Sequence, residues 1–274
     1  MPEDRNRGHR LTRKLSGFHP DGELPAVVAL DYPHADLQLY VTSKVERQSR
    51  VFSCRKEPWT VEWLDRHVRP GDVVFDVGAN VGAYALIAAH RTGEHGRVFA
   101  FEPGYASYAH LCDNIVLNGF AGTIVPIPVP LADRTALGVF SYHRLYPGHA
   151  RHSIGAARPQ AGADVPIYEQ TALLMSLDDL AQRFALPWPR LLKIDVDGAE
   201  LMVLRGARTL LARAELEHVL LEIELHNSDA VVELLAAAGL TLQQRHQRTY
   251  DDGRLSDYWY GIFARATAPT ASAT

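Results

Sequence analysis

The chain has 274 residues, a formal net charge of −4 and a hydrophobic content of 47%. This composition is typical of a globular protein whose core is large enough to fold without disulfides or structural metals. The acidic balance argues against a nucleic-acid partner, which requires a basic face. No segment approaches the ~18 uninterrupted apolar residues of a membrane span, and the charged start lacks the apolar core of a signal peptide. We therefore expect a cytoplasmic protein that does not act on membranes.

The sequence predicts one domain with loose ends. Residues 1–70 are predicted to form an N-terminal extension with a disordered start, followed by short strands and a helix. The domain itself is expected at 71–265. The small-residue stretch 266–274 has nothing to bury, so we expect a disordered tail there.

Short apolar runs alternate with amphipathic stretches, which indicates βαβ units on a parallel sheet. Strands are predicted at 73–77, 97–101, 124–129, 191–196 and 219–225. Helices are predicted at about 80–90, 105–118, 177–184, 199–212 and 228–238. Segments 241–249 and 256–264, joined by a turn that contains Gly253, are predicted to form a hairpin. The predicted fold is α/β and doubly wound, a Rossmann-like sheet of seven strands with a terminal antiparallel hairpin.

Three local signals refine this pattern. Pro126 and Pro128 indicate an edge or irregular position for the strand at 124–129. Ser176 and Asp179 have the spacing of a capping box at the start of the 177–184 helix. Residues 133–172 break the alternation and are predicted to form a functional insertion on the substrate side. One of its histidines, His143, His149 or His152, could reach a substrate, or all three could be solvated loop residues.

The strongest motif is the run DVGANVG at 76–82, directly after the first predicted strand. Open α/β sheets bind ligands beyond the carboxyl ends of their strands, and the second strand also ends in an acid, Glu102. A dinucleotide site favours G-x-G-x-x-G, whereas this chain has G-A-N-V-G with an acid two residues earlier. That pattern suits a ligand with an ammonium group better than a ligand with a pyrophosphate. The alternative is a purely structural role, in which the motif forms a tight turn that contains a buried aspartate. The candidate cofactor-binding residues are Asp76, Gly78, Asn80, Gly82, Glu102, Pro103, Asp133 and Asp195.

A second acidic cluster follows the fourth predicted strand. Asp195, Asp197 and Glu200 crowd the end of this strand and are expected to raise one another's pKa, which would make one of them a usable base. Asp195 and Lys193 are candidate catalytic residues, and Lys193, two residues earlier on the same strand face, could pair with Asp195. Glu222, Glu224 and His226 would share one face of the next strand, and His226 is a candidate base. No closely spaced ligand motif marks a metal site, so we predict none.

Taken together, these residues resemble the FkbM-type methyltransferases. The matching pieces are DVGANVG at 76–82, FEP at 101–103, LCDNIVLNG at 111–119, SLDDL at 176–180, LLKIDVDGAE at 191–200 and VLRGA at 203–207. The family usually carries a glutamate where this chain has Asp197. The insertion at 133–172 matches nothing in the family pattern.

The resemblance implies a Rossmann-like fold, S-adenosyl-L-methionine as methyl donor, and O-methylation of sugars, polyketides or related metabolites. We therefore expect a small-molecule acceptor as the partner, and the sequence is compatible with a homodimer. Methylation of a nitrogen or of a larger acceptor is an open alternative, because the cofactor-binding residues would be the same for these acceptors. A nicotinamide-dependent oxidoreductase and a silent cofactor-binding scaffold are the remaining alternatives.

Overall fold

The computed structural model describes residues 26–150, 152–155, 165–250 and 252–265. The predicted disordered start, residues 1 to about 14, and the predicted disordered tail at 266–274 lie outside these residues. The strands are β1 (Ala26–Ala29), β2 (Gln38–Val41), β3 (Val73–Val77), β4 (Arg97–Phe101), β5 (Ile124–Ile127), β6 (Ala136–Tyr142), β7 (Ser153–Ile154), β8 (Tyr168–Leu174), β9 (Leu191–Ile194), β10 (His218–Glu224), β11 (Leu240–His246) and β12 (Tyr258–Arg265). The helices are α1 (Ser53–Lys56), α2 (Pro58–His67), α3 (Ala83–Thr92), α4 (Tyr105–Leu117), α5 (Leu177–Arg183), α6 (Glu200–Arg205), α7 (Arg208–Ala212) and α8 (Ser228–Ala237), with a π-helix at Glu46–Arg50 and a 3-10 turn at Leu225–Asn227.

Seven strands form the central sheet in the order β11-β12-β10-β9-β3-β4-β5. The five strands from β10 to β5 run parallel to their neighbours, and β12 lies antiparallel between β10 and β11. This confirms the doubly wound α/β fold and the terminal hairpin. The proline-bearing strand β5 lies at the sheet edge, as its sequence predicted, because proline cannot donate to a ladder on both sides.

Two apolar layers cover the two faces of the sheet. Val74 packs with the layer that includes α2, α3 and β2, whereas Phe75 and Val77 pack with the layer that includes α5 to α8. Such alternation follows from the period of two in a strand. Asp76 and Lys193 are register partners on neighbouring strands, so both side chains project toward the first layer.

Helix boundaries differ from the prediction where the backbone is left-handed. Helix α3 begins at Ala83 rather than at residue 80, because Asn80 (φ 52°) and Gly82 (φ 94°) cannot be helical. The helix predicted at 199–212 is two helices that meet at Gly206. A β-carbon on Gly206 would lie 2.1 Å from the Ala132 carbonyl oxygen, so the helix junction packs directly on backbone.

The segments outside the central sheet contain more structure than the sequence indicated. The insertion holds a separate antiparallel sheet in the order β7-β6-β8, which the sequence analysis missed. Leu137 and Leu173 are register partners in this sheet, and both are exposed. Such apolar residues on the outer face obscure the alternation of apolar and polar residues from which strands are predicted. Half of the predicted capping box forms: the Ser176 hydroxyl accepts from Asp179 N at 3.1 Å, whereas Ser176 N donates to the Thr135 hydroxyl at 3.4 Å rather than to the Asp179 side chain. Within the described ranges, the model contains no helix long and apolar enough to cross a membrane.

A charge cluster closes the end of the sheet opposite the carboxyl ends of β3 and β9. The Arg190 guanidinium donates to both Asp72 carboxylate oxygens at 2.7 and 2.6 Å and to Glu217 at 2.7 Å. It also donates to the His67 carbonyl oxygen. Arg190 and Asp72 are only 13% and 11% exposed, so the pair is screened little by solvent.

Arg190→Met is expected to lower the free energy of unfolding by about 3–5 kcal/mol, because it leaves the mostly buried Asp72 carboxylate without its cation. The matched control is Arg66→Met, which removes an exposed pair with Glu62 and should cost less than about 1 kcal/mol. Urea unfolding of both variants provides the measurement. Equal losses would contradict the assignment of Arg190 as a buried anchor.

Candidate active site

A cavity of about 390 Å³ lies at the carboxyl ends of the parallel strands. The loops after β3, β4 and β9 supply Gly78, Asn80, Glu102, Pro103 and Asp195 to its wall. These five sequence-predicted cofactor residues therefore lie together. Other parts of the wall come from the π-helix, the insertion, the end of β10 and the terminal hairpin.

Lys193 is the buried centre of the site. Its Nζ lies 3.3 Å from Asp76 Oδ1 and 3.3 Å from Asp195 Oδ2, which confirms the predicted pairing with Asp195. The ammonium also lies 5.1 Å from the centroid of the buried Tyr84 ring. Neither Lys193 nor Asp76 is on the cavity wall; they lie directly behind Asp195. The arrangement fixes the Asp195 carboxylate at the edge of the cavity.

The charges of this group follow from burial and proximity. Burial alone would lower the pKa of Lys193, but Asp76 and Asp195 reverse this and raise it. Burial would raise the pKa of Asp195, yet Lys193, Lys56 and Arg50 together lower it. The expected rise in pKa therefore does not occur at Asp195, where cations outweigh the neighbouring acids. It does occur at Glu200 of the same cluster, where burial, with a smaller contribution from Glu224, raises the pKa to about 7. Asp195 is an ionised carboxylate at neutral pH and a weak proton acceptor.

Glu102 is held by two backbone amides at the opposite side of the site. Its Oε2 accepts from Asn80 N at 2.8 Å and its Oε1 from Gly104 N at 2.7 Å. Burial raises the pKa of Glu102 to about 7, although these two amides oppose the shift. Each oxygen keeps further lone pairs, so the carboxylate can still accept hydroxyl donors from a ligand.

The two glycines of the DVGANVG run are required by close packing. A β-carbon on Gly78 would lie 1.8 Å from the Asp195 carbonyl oxygen, and one on Gly82 would lie 2.6 Å from Leu111 Cδ1. Gly78 is on the cavity wall, whereas Gly82 packs between α3 and α4 away from it. The prediction that Gly82 contacts the cofactor therefore does not match its position.

Two other predicted residues lie away from the cavity. Asp133 is on the surface, where its carboxylate lies 3.7 Å from Arg134. His226 does not continue the strand, because β10 ends at Glu224 and a 3-10 turn follows. Its ring is 68% exposed and pairs with Glu224 at 3.1 Å. The shared strand face expected for the three therefore holds for Glu222 and Glu224 on β10 and is wrong for His226; of the three, Glu222 lines the cavity.

The insertion covers the cavity with two of its three candidate histidines. His149 and His152 line the wall, and His143 does not. The His149 carbonyl oxygen accepts from the Asn80 side chain at 2.9 Å, which ties the insertion to the turn after β3. Burial lowers the pKa of His149 and of His152 to about 4, so both rings are neutral.

Several wall residues escaped the sequence analysis. Arg50 ends a π-helix that is anchored by Glu46, whose carboxylate lies 2.6 Å from His110 Nδ1 and accepts from Ser43 N at 2.8 Å. π-Helices are frequent at functional sites, but this one depends on a contact between residues far apart in sequence. Other missed wall residues with charged or polar side chains are Lys56, Arg248, Tyr250 and Tyr258.

Glu222 forms a second acidic point on the wall. It accepts from the Tyr260 hydroxyl at 2.6 Å, and these two residues are register partners on β10 and β12. Burial, followed by the negative charge of Asp195, raises the pKa of Glu222 to about 9. Tyr258 and Tyr260 lie two residues apart on β12, with Trp259 between them. This spacing places both tyrosines on one face of the strand, and it was the sequence signal that could have predicted them near the site.

Comparison with known proteins identifies the family. A model of the FkbM methyltransferase domain matches residues 76–247, more than half of the chain. The chain belongs to the FkbM methyltransferase family. It is 26% identical over 204 residues to the hexuronic acid methyltransferase AglP of Haloferax volcanii, covering 74% of this chain and 78% of AglP. It is 47% identical over 57 residues to the 31-O-demethyl-FK506 methyltransferase FkbM of Streptomyces tacrolimicus, covering 21% and 22% of the two chains.

The precorrin-6y C5,15-methyltransferase of Geobacter metallireducens is similar to this FkbM-family chain with a TM-score of 0.45 and 16% identity, covering 78% of this chain and 88% of that structure. The FkbM domain match begins at Asp76 and includes Glu102, Lys193 and Asp195. The family domain therefore contains the buried Lys193 group and the Glu102 wall. Arg50, Lys56, Arg248, Tyr250 and Tyr258 lie outside that match.

Gly78→Ala is expected to destabilise the protein by clearly more than Gly71→Ala. Both glycines have positive φ, 81° and 86°, so both variants carry a backbone strain of about 1–2 kcal/mol. Only Gly78→Ala adds an overlap with the Asp195 carbonyl, since nothing lies within 4 Å of a β-carbon on Gly71. Urea unfolding of the two variants separates the overlap from the backbone strain. Equal losses in the free energy of unfolding would show that β9 moves aside freely.

Proposed function

We propose that the chain is an S-adenosyl-L-methionine-dependent O-methyltransferase that acts on a hydroxyl of a small molecule, such as a sugar or a polyketide. The observation that carries the proposal is the amide-fixed Glu102 carboxylate on the wall of a cavity at the carboxyl ends of β3, β4 and β9. A carboxylate at the end of the second strand can accept both ribose hydroxyls of a nucleoside. The FkbM-family relatives that act on a hexuronic acid and on demethyl-FK506 support a metabolite as acceptor.

The rest of the site fits this cofactor better than a dinucleotide. The helix that follows the glycine turn has its N-terminus against Leu111, which leaves Gly82 unavailable to a pyrophosphate. Glu102, Asp195 and Asp197 also make this part of the wall acidic, which disfavours a dianionic pyrophosphate. An ionised Asp195 instead suits the positive charges of the sulfonium and amino groups.

Each residue then has a defined role. When bound, the cofactor would supply an electrophilic methyl group. Glu102 would hold the ribose and Asp195 would face the cationic end, with Lys193 as a positioning residue behind it. His149 and His152 would exclude water as neutral rings. Glu222 would accept the proton of the hydroxyl in its ionised form, which is a stronger base than Asp195 but, with a pKa of about 9, is the minor form at neutral pH.

The test is calorimetric titration with S-adenosylhomocysteine and with NAD at pH 6, 7 and 8. We expect S-adenosylhomocysteine alone to bind, and its affinity to fall about tenfold from pH 8 to pH 6 as Glu102, with a pKa of about 7, becomes protonated. The sign follows because the raised pKa makes the acceptor carboxylate available only at higher pH. Glu102→Gln should bind weakly and without this pH dependence.

The matched control is Glu94→Gln, the same substitution at an exposed position outside the cavity. It should retain the wild-type affinity at every pH. Binding of NAD alone would favour the oxidoreductase alternative, and binding of neither ligand would favour a silent scaffold. Formation of S-adenosylhomocysteine with a panel of sugar and polyketide acceptors then tests the hydroxyl as the methylated group.

A further inference from the structure

The terminal hairpin supplies a second wall of the cavity, separate from the Glu102 wall. Arg248, Tyr250 and Tyr258 line this side. In the sheet order, β10, β9 and β3 lie between the hairpin strand β12 and β4, so three strands separate this wall from Glu102. Because the proposed cofactor uses the ends of β3 and β4, the hairpin wall is left for the acceptor.

The position of Arg248 is fixed by the hairpin backbone. Its carbonyl oxygen accepts from Ser256 N at 2.9 Å, and the Gln247 side chain donates to the Ser256 carbonyl oxygen at 2.7 Å. Thr249 and Leu255 form a bridge next to it. The side chain of Arg248 therefore starts from an ordered strand pair rather than from a free loop.

The guanidinium of Arg248 has hydrogen-bond donors to spare. Its carbon lies 5.4 Å from the centroid of the Tyr250 ring, and the group opposes the rise in the pKa of the neighbouring Tyr258 hydroxyl. A guanidinium carries five donors, more than one neighbouring hydroxyl can accept. Among the residues that the structure describes, no acidic side chain forms an ion pair with Arg248.

The other two cations on the wall already bind protein groups. Arg50 Nε donates to the Gly148 carbonyl oxygen at 2.9 Å, and Lys56 Nζ lies 2.7 Å from Glu57 Oε1. Both also contribute to the lowered pKa of Asp195.

We propose that Arg248, Tyr250 and Tyr258 form the acceptor site and that the acceptor is a saccharide bearing a carboxylate. A guanidinium binds a carboxylate through two parallel hydrogen bonds, and the two tyrosine rings offer apolar faces with polar tips to a sugar ring. The acidic groups Asp195 and Asp197 on the same cavity favour a monoanion over a phosphate dianion. This inference rests on the proposed function, because it assigns to the acceptor the part of the cavity that lies beside the proposed methyl donor.

The test compares methyl β-D-glucuronoside with methyl β-D-glucoside, which differ only in a carboxylate at C6. Binding to the wild type is measured by calorimetry, both with and without saturating S-adenosylhomocysteine. We expect the glucuronoside to bind at least about tenfold more tightly, as is typical of a charged hydrogen bond compared with a neutral one. Arg248→Gln should abolish this preference, and Arg248→Lys should retain part of it.

The matched control is Arg245→Gln, which removes an exposed arginine of the same hairpin that packs over Trp259 outside the cavity. It should keep the full preference, and all three variants should bind S-adenosylhomocysteine as the wild type does. No preference in the wild type, or equal losses in Arg248→Gln and Arg245→Gln, would overturn the inference.

Tighter binding of glucose 6-phosphate than of the glucuronoside would also overturn it and assign a phosphate-bearing acceptor. Failure to bind S-adenosylhomocysteine counts against the proposed function instead. The glucuronoside preference measured without that ligand still decides the role of Arg248, so the two failures are distinguishable.

Discussion

The buried ammonium of Lys193 between Asp76 and Asp195 is the interaction on which the site depends. The register of the parallel ladder places Lys193 beside Asp76, and two residues later the chain reaches Asp195 at the cavity edge. A buried carboxylate without a cation is strongly unfavourable, so the two acids require this lysine. In return, the lysine determines which acid is ionised, because its charge helps to lower the pKa of Asp195.

The same contact sets the shape of the cavity. Gly78 packs directly on the carbonyl of Asp195, so the ends of β3 and β9 are held together by both backbone and charge. The next turn residue, Asn80, then orients Glu102 through its amide and the insertion through its side chain. A chain of short contacts thus connects the buried ion group with the cofactor wall and with the cover of the cavity.

The sequence predicted the parts of the site that depend on local signals. Strands 73–77 and 97–101 have the predicted bounds because apolar runs end there in a glycine turn and an acid. Asp133 was an error of the same method, since an acid after a strand can equally face solvent beside Arg134. Arg50 and Arg248 could not be predicted, because long-range contacts bring them to the cavity. The π-helix that ends at Arg50 is anchored by a contact between Glu46 and His110, which are 64 residues apart, and Arg248 is positioned by the pairing of the terminal hairpin.

The most direct test of the central claim is the stability and ligand binding of Lys193→Met. We predict a loss of about 3–5 kcal/mol in the free energy of unfolding, together with loss of S-adenosylhomocysteine binding in the calorimeter. Adding Asp76→Asn should recover much of the stability, because it removes the buried carboxylate that the lysine neutralises. A Lys193→Met protein with wild-type stability and wild-type affinity would contradict the account.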